Sequence, residues 1–288
     1  MNRKKKRCMK PKQISVFGKL LAKLPNTWPI LYPFYLANQL DTVREVYPSE
    51  YVPKEFHGFT IAFVSDIHYG FLLNEQRVKN LVEKVNAFQA DLILLGGDYG
   101  ENSQGAIDFF KLRPSFSAKE KVIGVLGNHD RTDPSENYPL LLEEMKKNGI
   151  LPLVNDVFIL QREGKKLAIA GTDDYFMGDV DLRHTAYLCR ESDFTILVAH
   201  NPDILPETFR LPGGPFYHLA LCGHTHGGQV SIGSHAIHSS SMYGDRFLSG
   251  WKHENGVDIL ISNGVGTSGL PVRLGARPQI HLITLISI

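Results

Sequence analysis

The sequence contains few cysteines, and no two of them form a redox or zinc-binding pair. Only Cys8, Cys189 and Cys222 occur in 288 residues, and their wide spacing excludes a disulfide framework. No uninterrupted apolar run reaches 18 residues, which excludes an ordinary transmembrane helix. A GxSxG elbow, a P-loop and an HExxH pair are also absent, so these catalytic motifs are excluded. This cysteine usage predicts a reducing, cytoplasmic location.

Charge is distributed unevenly along the chain. Residues 1–40 hold nine of the 31 basic residues and no acidic residue. The remainder carries 22 basic and all 30 acidic residues, so the body of the protein is acidic. A basic arm on an acidic body predicts a polyanionic surface as the partner of the arm, while the acidic body disfavours nucleic acid.

The basic arm also contains an amphipathic segment. Apolar residues at helical spacing are Ile14, Phe17, Leu21 and Leu24, and the aromatic residues Trp28, Tyr32, Phe34 and Tyr35 follow them. At 1.5 Å per residue, a helix over residues 14–24 would be about 16 Å long and too short to span a bilayer. We therefore predict peripheral contact of residues 1–40 with the inner face of the cell membrane. The alternative is a solvated tail followed by a segment that packs on the domain.

Beyond this arm, apolar runs alternate with amphipathic segments. Runs at 59–65, 92–95 and 122–126 predict buried strands, and helices are expected after Asn74 and Asp133-Pro134. Further strands are predicted at 157–160, 167–170, 195–199, 218–221, 257–261 and 280–286. The alternation indicates an α/β layered fold.

The domain boundary is predicted from two prolines. Pro48 and Pro53 interrupt the periodicity between residues 47 and 56. We therefore expect an N-terminal segment over residues 1–55 and a main folded domain over residues 56–288.

Metal-type ligands follow five of the predicted strands. The motifs are Asp66-Ile-His68, Gly96-Gly-Asp98, Gly127-Asn-His-Asp130, Ala199-His200-Asn201 and Gly223-His224-Thr-His226. Ligand sites in α/β sheets lie beyond the carboxyl ends of strands, so these side chains are expected to converge. Each motif occurs by chance in unrelated proteins. Together they are poorly explained as structural residues, because buried carboxylates and imidazoles are costly unless they are paired or bound to metal.

In this order the five motifs resemble the signature of the calcineurin-like metallophosphoesterases, over roughly residues 56–288. Within that superfamily the chain is most similar to bacterial, often membrane-associated phosphodiesterases that include UDP-2,3-diacylglucosamine hydrolase-like proteins. The segments that support this branch are Gly227-Gly-Gln229 and Gly266-Thr-Ser-Gly-Leu-Pro-Val-Arg273. Members often begin with a secretion signal or a transmembrane segment, and residues 1–40 resemble neither.

The resemblance implies a four-layer αββα sandwich that binds two divalent ions between its sheets. The first ion would be held by Asp66, His68, Asp98 and His226. The second would be held by Asp98, Asn128, His200 and His224, with Asp98 bridging. Carboxylate, imidazole and amide ligands suit manganese, iron or zinc. Two such ions about 3.5–4 Å apart lower the pKa of a shared water, and the bridging hydroxide attacks phosphorus directly.

Four further residues are predicted to act on the substrate. His129 would face the substrate and either stabilise developing charge or protonate the leaving oxygen. Asn201, Arg246 and Arg273 are expected to bind the phosphoester, since arginine commonly grips phosphate.

The sequence thus predicts a metal-dependent phosphoester hydrolase, either a phosphodiesterase or a pyrophosphatase, with a nucleotide-linked lipid as candidate substrate. The alternatives are a non-catalytic scaffold of the same fold and a nuclease. No protein partner is predicted.

Overall fold

The computed structural model describes residues 32–70, 73–132, 137–232 and 235–288. Within these ranges, the strands form two six-stranded sheets and one short ribbon. The strands are β1 Asp41–Ser49, β2 Thr60–Val64, β3 Leu92–Leu95, β4 Lys121–Gly124, β5 Ile150–Pro152, β6 Asp156–Arg162, β7 Lys165–Gly171, β8 Phe194–Val198, β9 Leu219–Cys222, β10 Ser231–Ile232, β11 His235–Ala236, β12 Gly250–Glu254, β13 Val257–Ile261 and β14 Gln279–Ser287.

The first sheet has the strand order β1-β14-β2-β3-β4-β5. Strands β2 to β5 run parallel, whereas β14 is antiparallel to β2. The second sheet has the order β12-β13-β9-β8-β7-β6, with a parallel centre and antiparallel hairpins at both edges. One edge hairpin turns at Glu163-Gly164 and the other at Asn255-Gly256, where positive φ angles of 47°, 86°, 51° and 78° accommodate tight turns.

The helices flank the two sheets. They are α1 Tyr32–Leu36, α2 Glu75–Asn86, α3 Ser103–Lys111, α4 Asn137–Lys147, α5 Leu182–Cys189 and α6 Leu205–Thr208. Asn74 caps α2, because its side chain accepts a hydrogen bond from the backbone N–H of Arg77 at 3.1 Å. This confirms the predicted start of that helix.

Alternating side chains of the strands divide the core into layers. In β2, Ile61 and Phe63 pack between the two sheets, whereas Ala62 and Val64 pack against α2, α3 and α4. A third apolar cluster covers the outer face of the second sheet and includes Cys189 of α5 and Leu205 of α6. The order helix, sheet, sheet, helix confirms the four-layer αββα sandwich.

The predicted boundary between residues 55 and 56 is wrong. Strand β1 pairs with β14 over nine residues, from Asp41–Gln279 to Ser49–Ser287, and so belongs to the first sheet. Pro48 is compatible with this strand because β1 lies at the edge of the sheet. The sandwich therefore begins by Asp41.

Some predictions lie outside the described residues. These are the amphipathic stripe at residues 14–24, Trp28 and the Asp133-Pro134 helix start. Within the described ranges, no helix is both long and apolar enough to cross a bilayer.

Candidate metal centre

The predicted ligands lie in the loops that follow parallel strands of both sheets. Asp66 and His68 follow β2, and Asp98 follows β3. His200 follows β8, while His224 and His226 follow β9 of the second sheet. Because β2, β3, β8 and β9 end at the same side of the sandwich, the loops bring these side chains together.

Five of these residues have a left-handed backbone. The φ angles are 54° at Asp66, 48° at His68, 56° at Asp98, 70° at His224 and 54° at His226. Such angles are uncommon for residues other than glycine and concentrate at functional sites, where the surrounding structure enforces them.

Two glycines allow the loops to approach one another. A Cβ added at Gly127 would lie 2.2 Å from Oδ1 of Asp98, and one at Gly223 would lie 1.9 Å from Oγ of Ser65. Only glycine fits at either position, which explains why both precede ligand motifs.

One cluster of ligand atoms joins Asp66, His68 and His226. Nε2 of His226 lies 3.4 Å from Oδ1 of Asp66 and 3.1 Å from Nε2 of His68. All three residues are buried. Burial lowers the pKa of His68 to about 3, so its imidazole stays neutral and keeps a lone pair for a metal ion.

A second cluster joins Asp98, His200 and His224. Oδ2 of Asp98 lies 3.2 Å from Nε2 of His200 and 3.6 Å from Nε2 of His68, so Asp98 stands between the two clusters. Burial alone would lower the pKa of His200, but the carboxylates of Asp98 and Asp66 raise it to about 10. The centre therefore favours positive charge beside Asp98.

The donor atoms fit divalent metal ions. Nε2 of His224 and Oδ1 of Asn128 are buried and have no hydrogen-bond partner among the described residues. Unpaired buried polar atoms are costly, and coordination would satisfy both. The combination of carboxylate, imidazole and amide donors suits first-row transition metals.

His129 lies at the edge of the ligand cluster. Its backbone N–H donates to Oδ1 of Asp98 at 2.8 Å, and its ring packs edge-on against His68 with the centroids 4.8 Å apart. Nδ1 donates to the backbone carbonyl of Glu101 at 2.9 Å. The sequence does not reveal the group that orients this ring, because a backbone carbonyl leaves no signature in residue types.

Asp130 was missed as a functional residue. Its buried carboxylate accepts hydrogen bonds from the backbone N–H groups of Asp98, Tyr99 and Gly127, at 2.8, 3.0 and 2.8 Å. It thereby ties the loop after β3 to the loop after β4. The available signal was its place as the fourth residue of the Gly127-Asn-His-Asp130 motif.

The three predicted substrate-binding residues differ in their placement. The prediction that Arg273 grips phosphate is wrong, because its side chain is fully buried and donates to backbone carbonyls behind His226. Arg246 pairs with Glu254, with Nε 3.0 Å from Oε1, and its contact with substrate stays a prediction. Asn201 is buried beside His200, and its Oδ1 accepts from the backbone N–H of Asp203 at 2.9 Å. Its predicted role with substrate also stays a prediction.

Comparison with known proteins agrees with this architecture. The family model of the calcineurin-like phosphoesterases matches residues 59–228. The uncharacterized metallophosphoesterase YkuE of Bacillus subtilis is 28% identical over 261 residues, which cover 89% of each chain. The uncharacterized protein YpbG of the same organism is 30% identical over 78% of this chain and 80% of its own. The phosphodiesterase YaeI of Escherichia coli is 29% identical over 79% of this chain and 82% of its own.

The matched residues 59–228 span more than half of the chain and include Asp66, His68, Asp98, His200 and His226. The family match thus coincides with the residues that the fold brings together. The chain belongs to the calcineurin-like phosphoesterase family and is a metal-dependent phosphoesterase.

Proposed function

We propose that this chain hydrolyses phosphodiesters with two divalent ions that share Asp98. The position of Asp98 between two clusters of buried ligand atoms is the observation that carries this proposal. Carboxylates that bridge two ions are a feature of centres that clamp both sides of a phosphoryl group during in-line displacement.

The proposed ligand sets follow the two clusters. The first set is Asp66, His68, Asp98 and His226, and the second is Asp98, Asn128, His200 and His224. Manganese, iron and zinc all suit these donors. When bound, the ions supply Lewis acidity and lower the pKa of a coordinated water.

The protein residues position the substrate and handle protons. Asp98 fixes the backbone of His129 through the 2.8 Å hydrogen bond, and the carbonyl of Glu101 fixes its ring. Nδ1 carries the proton of that bond, so Nε2 is the atom available to the substrate. We propose that His129 acts on the leaving oxygen as the imidazolium, which carries a second proton on Nε2. Nε2 would then donate a hydrogen bond to the leaving oxygen or transfer its proton to it as a general acid.

Similarity to YaeI, whose name describes it as a phosphodiesterase, supports diesters over monoesters. More specifically, we propose that the bond hydrolysed is a pyrophosphate bond within a nucleotide-linked lipid. This is the kind of bond that the UDP-2,3-diacylglucosamine hydrolase-like branch hydrolyses. A non-catalytic scaffold is disfavoured because the predicted carboxylate and imidazole ligands are present and clustered.

The activity is tested with protein loaded with Mn²⁺. Bis-p-nitrophenyl phosphate, p-nitrophenyl phosphate, a UDP-linked lipid and single-stranded DNA are compared as substrates. Asp98→Asn and a chelator should each abolish hydrolysis, whereas Asp108→Asn, an exposed residue of α3, should not. Hydrolysis that survives both Asp98→Asn and the chelator would exclude the two-metal mechanism, and a strong monoester preference would exclude the phosphodiesterase assignment.

We further propose that the substrate is presented at an anionic membrane surface. Exposed apolar side chains support this proposal: Ile232 of β10 is 75% exposed, and Ile237, directly after β11, is 74% exposed. The β10–β11 ribbon also contacts the loop that contains Leu274, because the N–H of Ser231 donates to the carbonyl of Leu274 at 2.8 Å. The basic arm complements anionic lipid, and each basic residue near such a surface contributes about 1 kcal/mol.

Liposome flotation tests this surface. Vesicles of phosphatidylcholine with phosphatidylglycerol should float the full chain and should float the chain without residues 1–31 more weakly. Ile232→Ser with Ile237→Ser should weaken flotation further. The matched control is Val46→Ser, because Val46 is 67% exposed on edge strand β1. Equal flotation of every variant, or of none, would contradict the proposal.

A further inference from the structure

Arg273 is an unusual buried cation. Its side chain is fully buried, and the charge of Asp66 acts on it, although no direct ion pair joins the two among the described residues. An arginine guanidinium keeps its charge at neutral pH. A buried charge without a directly paired carboxylate is costly, so many hydrogen bonds must satisfy the guanidinium.

The guanidinium binds two segments of the metal centre. Nη1 donates to the backbone carbonyl of His226 at 3.2 Å, and Nη2 lies 3.1 Å from Nδ1 of the same ring. Nε donates to the carbonyl of Gly266 at 3.2 Å, and Nη2 donates to the carbonyl of Gly264 at 3.4 Å. Arg273 therefore fixes the peptide of His226 to the loop after β13.

That loop packs directly on the Asp66–His68 segment. The N–H of Gly266 donates to the carbonyl of Asp66 at 2.6 Å. A Cβ added at Gly264 would lie 2.5 Å from Cβ of Asp66, and one at Gly266 would lie 2.9 Å from Cβ of His68. Backbone contact this close transmits any displacement of the loop to both side chains.

We propose that Arg273 is the positioning residue of one metal site. Its hydrogen bonds join the Gly264–Gly266 loop to His226 and thereby keep Asp66, His68 and His226 in the arrangement that binds the ion. This inference rests on the proposed function. Its contacts involve only the first cluster and none of Asp98, His200 and His224. Residues behind metal ligands typically change metal affinity about 10–100-fold when they are replaced.

The experiment compares metal binding in wild type, Arg273→Lys and Arg273→Met. Arg277→Met is the matched control, because Arg277 lies nearby in sequence but its side chain is 53% exposed. Each protein is stripped with chelator, checked for fold by circular dichroism, and titrated with Mn²⁺ by calorimetry. Bound manganese is then counted by elemental analysis, and its electron paramagnetic resonance spectrum is recorded.

Wild type and Arg277→Met should bind two ions and give the multiline spectrum of a coupled manganese pair. Arg273→Lys should lose about 10–100-fold in affinity at one site only and give the six-line spectrum of an isolated ion. Two ions with unchanged affinities in Arg273→Lys or in folded Arg273→Met would overturn the inference. Failure of Arg273→Lys itself to fold would overturn it too, since Arg273 would then support the whole sandwich. A wild type that binds fewer than two ions would instead contradict the proposed function.

Discussion

The ring of His129 is oriented by the backbone carbonyl of Glu101, with Nδ1 and the carbonyl oxygen 2.9 Å apart. Burial alone would lower the pKa of His129, but Asp98 and this hydrogen bond raise it. The ring is therefore held in one orientation with its second nitrogen toward the ligand cluster.

Replacing His129 should reduce turnover without removing metal. We expect His129→Gln to lower kcat by about 10²–10⁴-fold on diesters with poor leaving groups, because proton donation to the leaving oxygen is lost. The loss should be smaller with p-nitrophenolate, which leaves without protonation. Steady-state kinetics over a series of substituted phenyl diesters measures this difference, and elemental analysis confirms the metal content.

The matched control for His129 is His184→Gln, which changes an exposed residue of α5. It should leave kcat unchanged. A uniform loss across all leaving groups in His129→Gln would exclude the general acid and would leave charge stabilisation as the role of His129.

Asp130 is expected to be essential for the stability of the loops at the centre. Asp130→Ala leaves the buried N–H groups of Asp98, Tyr99 and Gly127 without an acceptor, and each unsatisfied group costs about 1–3 kcal/mol. We therefore predict a loss of at least about 3 kcal/mol in unfolding free energy. Urea unfolding in chelator measures it, with the exposed Asp108→Ala as control. A loss of unfolding free energy below about 1 kcal/mol would show that water replaces the carboxylate as acceptor of these hydrogen bonds.

The metal ligands were predictable from sequence because their signals are local. Each ligand follows a short apolar strand such as Leu92–Leu95, whose four residues are all buried, and the ends of parallel strands meet at one side of a sheet. The glycines at 127 and 223 are equally local, since close packing of the loops excludes a Cβ there.

The missed features depend on contacts between distant parts of the chain. Strand β1 includes Arg44, Glu45 and Pro48, so its pattern does not resemble a buried strand, and its partner β14 lies at the far end of the sequence. Arg273 was assigned to substrate because an arginine near a phosphoesterase site has a common role. Its burial behind His226 depends on how the loop after β13 folds back, which no local pattern encodes.

His218 should make the metal-free protein less stable in acid. Burial lowers the pKa of His218, whose ring accepts the N–H of Thr195 at 3.1 Å and stacks on Phe194. Below the ordinary histidine pKa of about 6.5, His218 is protonated in the unfolded chain, whereas the buried ring of the native protein stays neutral. Stability from this group is therefore complete above that pH and decreases as the pH falls.

Thermal melts in chelator at pH 7.5 and 5.5 measure this effect. His218→Gln keeps an acceptor for Thr195 but does not titrate, so its melting temperature should fall less between the two values than that of wild type. His57→Gln, at an exposed residue, should behave as wild type. An equal fall in His218→Gln and wild type would show that His218 does not cause the acid sensitivity.

Truncation should separate the arm from the sandwich. Removal of residues 1–31 should leave the melting temperature unchanged, whereas removal of residues 1–55 deletes β1 and exposes the edge of β14.

Tyr47 of β1 is buried, and its hydroxyl donates to Oδ2 of Asp258 at 3.0 Å, which links the two sheets. Loss of one buried aromatic residue costs about 3–5 kcal/mol, equivalent to roughly 10 °C for a domain of this size. Removal of residues 1–31 keeps α1 and β1 and is the control. A chain starting at Phe56 that melts like the full chain would show that β1 is dispensable.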